Sequence, residues 1–273
     1  MAVLNLNMIK DLVSGFKKYP IWTRLALDHI TPMNRRSTFG SLWEPVSYVF
    51  MIVVLSPLYS LIMNLDFEWY IVYFSAGWLV WRFMSGIISS SCTTYIGAAR
   101  YITQTKQPFS IYSYSLVLSH IYRFLMNLPV FIMIMLIYSD ITQINIAGVS
   151  YAILLFSLMG FSLSILIGHI TLKIRDIQVV VENVMRIAFF VTPVIWLDKT
   201  VVDLTSGNLN ISAKAAYLDF NPLYHYLNIM RGPLLGEPMS ISSLIIVTMC
   251  TMLTFILSIV LLKKFQGNIS YSV

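Results

Sequence analysis

Leu172–Trp196 reads LKIRDIQVVVENVMRIAFFVTPVIW. A charged opening, Lys173, Arg175 and Asp176, leads into about twenty mostly apolar residues, roughly the length of a membrane span, that contain Glu182 and Arg186 and then Pro193. Ionisable groups at that depth are costly in lipid unless they face protein or water. The stretch therefore reads as a membrane helix with a functional side, which makes transport the leading question.

The whole chain supports a membrane setting. It is 58% hydrophobic and 11% charged, with a mean hydropathy of +0.76, far more apolar than a soluble domain. Apolar runs long enough to cross a bilayer lie at 45–65, 69–92, 109–138, 145–171, 177–197 and 239–262, since a crossing takes about 20 helical residues. The fold class expected is all-α, with six transmembrane helices. Outer-membrane barrels give only about 10-residue segments of alternating polarity, and no such pattern is present. The third run exceeds one crossing, so its first turns, around Phe109 to His120, belong at or beyond the cytosolic interface.

Orientation follows the distribution of Lys and Arg, which concentrate in cytosolic loops. Placing the N-terminal region inside leaves only Lys199, Lys214 and Arg231 outside, so both termini are expected in the cytosol. The division is a cytosolic region 1–43 and a six-span transmembrane domain 44–273. Residues 1–43 lack the apolar core of a cleavable signal peptide and are expected to be retained. Within them Leu4, Met8, Ile9, Leu12, Val13 and Phe16 recur at helical spacing, predicting an amphipathic helix on the interface. Trp43 serves as an interface anchor. The net charge of +6 is explained by attraction to anionic membrane lipids and calls for no nucleic acid. Cys92 and Cys250 sit in apolar runs and are assigned to packing.

Three connections stand out. The turn at 65–69 is short, carries Asp66 and Glu68, and makes the first two spans an antiparallel pair. The stretch from Tyr95 to Gln107 suits a short cytosolic helix ended by Pro108, either offering a contact to a partner or lying solvated. The outside segment 198–238 holds an aromatic and aliphatic run, Leu218 to Met230, around Asn221-Pro222. That run is too short to cross and predicts a re-entrant or interfacial helix pair.

No phosphate-cradling loop, zinc-protease motif or nucleophile elbow occurs, and the four histidines are scattered. No catalytic residue and no metal ligand set is assigned. An enzyme acting on polyprenyl lipids would need clustered carboxylates, and Asp176, Glu182 and Asp219 are dispersed. On a helical wheel Glu182, Arg186, Phe189, Pro193 and Trp196 fall within about 40°. This face is either a buried ion pair with core aromatics or the lining of a hydrated path. In the second span Trp78, Trp81, Arg82, Ser85, Ser89 and Cys92 share helical spacing, with the serines read as packing residues. Arg123 is read as snorkelling to the interface.

Several pieces in order resemble the membrane subunit of ATP-binding-cassette polysaccharide exporters, the type 2 permeases that move O-antigen, capsule or teichoic-acid chains. They are Arg35-Arg36-Ser37 through Gly40-Ser41-Leu42-Trp43, Arg175-Asp176-Ile177, Thr192-Pro193-Val194-Ile195-Trp196, and Asn221-Pro222-Leu223-Tyr224-His225 followed by Arg231 and Pro233-Leu234-Leu235-Gly236. The resemblance implies a homodimer in the bacterial inner membrane with two cytosolic ATP-binding subunits, which would hold the ATP and Mg; no cofactor belongs to this chain. It implies a channel lined by spans one and five, with Tyr48, Tyr59, Glu182, Arg186, Phe189, Phe190 and Trp196 as candidates. Arg35 and Arg36 are candidates for the anionic end of a lipid-linked polysaccharide, together with Arg186. Arg100, Tyr101, Thr105 and Lys106 would meet the ATP-binding subunit, and Asn221, Pro222, Tyr224, His225 and Arg231 would form an outer gate. Ile30-Thr31-Pro32-Met33 interrupts what is usually a continuous basic helix in that family. The alternatives are the same architecture carrying a drug or lipid, and a gradient-driven transporter.

Overall fold

Periodic apolarity sets the fold, and every regular element is a helix. The computed structural model describes residues 2–30, 40–105, 107–197 and 218–265, and no strand occurs among them. In chain order the helices are α1 Ala2–Lys17, α2 Tyr19–Ile30, α3 Trp43–Ile62, α4 Phe67–Ser91, α5 Thr94–Gly97, α6 Ala99–Gln104, α7 Ser110–Tyr138, α8 Ile146–Lys173, α9 Ile177–Val191, α10 Pro222–Leu234 and α11 Ile241–Phe265. Five stretches are long and apolar enough to cross a membrane: Gly40–Ile62, Phe67–Ser91, Ser110–Tyr138, Ile146–Lys173 and Ile241–Leu261.

The local signals that bound these helices are visible in the side chains. Between α3 and α4 the chain turns through Asn64 at φ 50°, a left-handed conformation that asparagine tolerates. Asp66 then accepts a hydrogen bond from Trp69 N at 3.0 Å, capping α4 as a short acidic side chain does best. Asn145 does the same for α8, accepting from Gly148 N at 3.0 Å.

α4 is the hub. It packs against α3, α7, α8, α9 and α10, and residues such as Phe74, Met84 and Ile87 are fully buried. The outer helices α3 and α11 keep broad apolar faces exposed, including Phe50, Val53 and Leu61 on α3 and Met249 and Leu253 on α11. Such contiguous apolar surface is tolerated where lipid or another protein covers it.

α7 has 29 residues and is about 44 Å long at 1.5 Å per residue, well beyond the roughly 30 Å hydrocarbon core. Its first turns pack against α1 and α2. The amphipathic helix α1 is fastened there: Asp11 accepts from Phe109 N at 3.1 Å and Ser110 N at 3.2 Å. A carboxylate over the first amides of α7 also complements its dipole. Lys18 Nζ donates to Gln107 Oε1 at 2.7 Å and closes the same corner.

The expected crossing at 177–197 takes a different form. Its helix, α9, has 15 residues and measures about 22 Å. Pro193 has no N–H to donate and its ring pushes the preceding residue out of helical space. Thr192 accordingly sits at φ −89° and ψ 138°, and the chain continues to Leu197 without helix.

Candidate functional site

α9 divides into two faces. Met185 is buried and Phe189 is half-buried against α4, its ring 5.4 Å from Trp78 and 5.5 Å from Trp81. Val180, Val184, Ile187 and Phe190 are exposed on the other side, Phe190 to 66%. The five residues gathered on the wheel do not share one environment: Phe189 is packed inward while Arg186 is exposed. Glu182 accepts from Gln178 Nε2 at 3.0 Å, and Arg186 Nη1 donates to Asn183 Oδ1 at 3.5 Å. The pairing of Glu182 with Arg186 offered by the sequence is thus replaced by local amide partners. Among the described residues the ion pairs are Arg24–Asp28, Arg82–Glu44 and Arg123–Glu44.

On α3, Tyr48 is fully buried and donates to Ser75 O at 2.8 Å, so it packs inside the helix bundle. Tyr59 is half-buried. An aromatic ladder runs along α4 from Trp69 through Tyr73, with ring centroids 5.1 Å apart, and from Tyr70 through Phe74 to Trp78. Phe189 extends it onto α9. The i, i+4 spacing of these rings is readable in the sequence, but only the fold shows that α9 continues the ladder.

The segment after α9 is held by one side chain of its own and three from distant parts of the chain. Trp196 Nε1 donates to Phe190 O at 2.9 Å, satisfying a carbonyl left open at the helix end. Tyr70 OH donates to Ile195 O at 2.7 Å, Arg231 Nη1 to Pro193 O at 2.7 Å, and Asn221 Nδ2 to Thr192 Oγ1 at 3.1 Å. Gly77 permits this approach, because a Cβ there would lie 3.1 Å from Val194 O.

α10 provides two of those contacts. Asn221 caps it by accepting from Leu223 N at 3.0 Å, and Pro222 occupies the first turn, where its missing N–H is harmless. Arg231 is only 5% exposed. Beyond Pro193 O, it donates to Tyr73 OH at 2.6 Å and Asn228 Oδ1 at 3.0 Å, and lies 4.5 Å over the Tyr73 ring. His225 is buried between Ser243 Oγ at 3.0 Å and Asp219 O at 2.9 Å, with Tyr224 edge-on at 5.3 Å. Thus Asn221, Arg231 and Thr192–Trp196, which the sequence placed in separate motifs, converge. A cavity of about 290 Å³ opens beside them, lined by Trp69, Tyr73, Tyr224, Asn228, Arg231 and Glu237.

At the end of the bundle that carries α5 and α6, Tyr101 is 52% exposed, and Thr105 is exposed with its hydroxyl bonded to Tyr101 O at 2.7 Å. Arg100 is the second residue of α6. Arg35, Arg36 and Lys106 lie outside the described residues. The sequence missed a polar cluster nearby, in which Glu44 on α3 binds Arg82 on α4 at 2.5 Å and approaches Arg123 on α7 at 3.9 Å. Arg82 was visible as a cation within the second span and Arg123 as one reaching the interface; their shared carboxylate was not. Among the described residues no three His, Cys, Asp or Glu side chains gather as a metal site requires.

No protein-family model matches the chain. It is similar to the O-antigen export system permease protein RfbA of Myxococcus xanthus, at 21% identity over 189 residues, covering 69% of this chain and 70% of that protein. Two such permease proteins of Klebsiella pneumoniae are each 20% identical, over 205 residues (72% of this chain, 79% of that protein) and 185 residues (67% and 71%). The resemblance carried by the local motifs is therefore borne out as a distant one.

Proposed function

We propose that this distant relative of O-antigen export permeases is the membrane half of an ATP-driven exporter, moving a lipid-linked polysaccharide across the bacterial inner membrane through a channel where two copies meet. The similarity to those permeases over about two thirds of the chain carries the reading. Five long apolar helices support it; in this reading α9 and its non-helical extension make the sixth crossing, and both ends lie on the cytosolic side.

In this reading the exposed faces of α3 and α9 meet the second copy. Tyr59, Arg186 and Phe190 stand toward the path, with Trp196 at its outer end and Glu182 half-buried beside it. Tyr48 and Phe189 brace the lining helices from behind. Aromatic faces interleaved with polar edges hold sugar rings without fixing them, as a sliding chain requires. The segment of Arg100, Tyr101, Thr105 and Lys106, in which Tyr101 and Thr105 are exposed, receives two cytosolic ATP-binding subunits, which hold ATP and Mg. Arg35 and Arg36 meet the anionic end of the cargo among the membrane lipids. Asn221, Pro222, Tyr224, His225 and Arg231 hold the outer gate.

The test is genetic and biochemical together. A strain lacking the gene is expected to lose surface polysaccharide and accumulate the lipid-linked chain inside. The tagged protein is expected to copurify with an ATPase whose inactive variant gives the same defect. Unchanged surface polysaccharide, or export that persists without the ATPase, would refute the proposal.

A further inference from the structure

The cluster around Glu44 is electrostatically incomplete. Arg82 and Arg123 enter one cleft between α3, α4 and α7, and Glu44 is the carboxylate that both approach. Arg82 takes one of its oxygens in a direct hydrogen bond. Arg123 stays 3.9 Å from the other, beyond hydrogen-bond length. Among the described residues its Nε is buried with no acceptor, and the Oδ1 of Asn127, a residue 2% exposed, is also without a partner. A guanidinium has five N–H donors and no acceptor, and donors left unpaired on burial are costly.

The space is large enough for a ligand. The cleft measures about 270 Å³ and adjoins a second of about 90 Å³ through shared walls at Ser90, His120 and Arg123. The larger part alone equals about nine waters at about 30 Å³ each. Gly86 lets the His120 ring lie against α4, since a Cβ there would come within 2.9 Å of its Nδ1 and Cε1. Polar groups therefore face the space from several sides: guanidinium groups on α4 and α7, the hydroxyls of Ser89 and Ser90, and the His120 ring.

We propose that this cleft binds a phosphoryl group, with Arg123 as its principal ligand and Arg82 as the second. Two cations against one carboxylate leave an excess positive charge. An anion with several acceptor oxygens supplies what Arg123 lacks, and Arg pairs with phosphate in bidentate geometry. Donors arranged around the space match a tetrahedral anion better than a planar carboxylate. Asn127 Oδ1 accepts from a protonated phosphoryl oxygen or from water beside it. The proposal is independent of what polymer the protein exports. The group arrives either on a lipid headgroup or as free phosphate or pyrophosphate.

The test uses the full chain in an uncharged detergent, titrated with inorganic pyrophosphate and with farnesyl pyrophosphate, read by calorimetry and by the shift in Tm. Saturable binding is expected, weakened about tenfold or more by Arg123→Gln, the loss of roughly one charge-assisted bond, and unchanged by Arg24→Gln on the exposed face of α2. Binding of both probes alike assigns the site to free phosphate; binding of the prenyl form alone assigns it to a lipid headgroup. Should Arg123→Gln fail to fold, Ser89→Leu fills the cleft with every charge in place and is expected to abolish the same binding. Failure of both probes to bind the folded protein, or unchanged affinity in the folded variant, would overturn the proposal.

Discussion

Replacing Arg231 with methionine tests the clamp over the end of α9. The native side chain makes three hydrogen bonds, to Tyr73 OH, Pro193 O and Asn228 Oδ1, and lies 4.5 Å over the Tyr73 ring. Hydrogen bonds to a charged group contribute about 1.5–3 kcal/mol each, and a desolvated cation over an aromatic ring about 2 kcal/mol. Methionine recovers the several kcal/mol that burying a guanidinium costs, so the expected net loss is about 2–5 kcal/mol. Lysine keeps the charge but not the fork, and its loss should fall between wild type and methionine. The assay is denaturant unfolding in mixed micelles, run as a double-mutant cycle with Tyr73→Phe. A coupling of about 1–2 kcal/mol is expected, because the pair shares a hydrogen bond and a ring contact. Additivity within about 0.5 kcal/mol would show that the contacts do not act together, and the clamp would be refuted.

Other perturbations probe separate joints. Phe189→Ala removes the rung joining α9 to Trp78 and Trp81 and should cost about 2 kcal/mol, half the value for a fully buried ring, with a matching change in tryptophan fluorescence; an unchanged spectrum would contradict the packing. Asp11→Ala deletes the carboxylate that caps α7 and should cost about 1–2 kcal/mol, seen as faster proteolysis of α1 than of the bundle. His29 at the end of α2 has its pKa lowered by burial and then by the Arg123 charge, with Asp28 opposing. Its folded pKa lies below the unfolded value of about 6.5, so its contribution to stability is present above that pH and lost as pH falls. His29→Gln should therefore flatten the decline in Tm as pH falls below about 6.5; identical slopes would rule this out.

Much of the bundle was legible because long apolar runs have few structural outcomes. The run 109–138 became α7 with its start at Ser110, one residue from the expected boundary, since Pro108 punctuates it. α9 was harder. Hydropathy continues through Val194-Ile195-Trp196 while the backbone leaves the helix at Thr192, and the window average conceals the proline's effect. The wheel assumed one environment for all positions of that helix. Packing on α4 alone decides that Phe189 turns in and Phe190 turns out. The partners of Arg231 were not legible, because Tyr73 lies 158 positions away and Pro193 38. The Glu44 cluster was hidden for the same reason: α3, α4 and α7 each contribute one charge, and none has a partner in its own segment.

The contacts of Tyr70, Arg231 and Asn221 join the segment directly after α9 to α4 and α10 at one point. No comparable set of long-range bonds holds the Ile177 end among the described residues. Were α9 to turn as a rigid rod, its pivot would be Thr192–Ile195. A swing of about 10° over its roughly 22 Å length carries the free end about 4 Å while the pivot stays in place. Any widening produced by such a motion begins at the Ile177 end and reaches the clamp last.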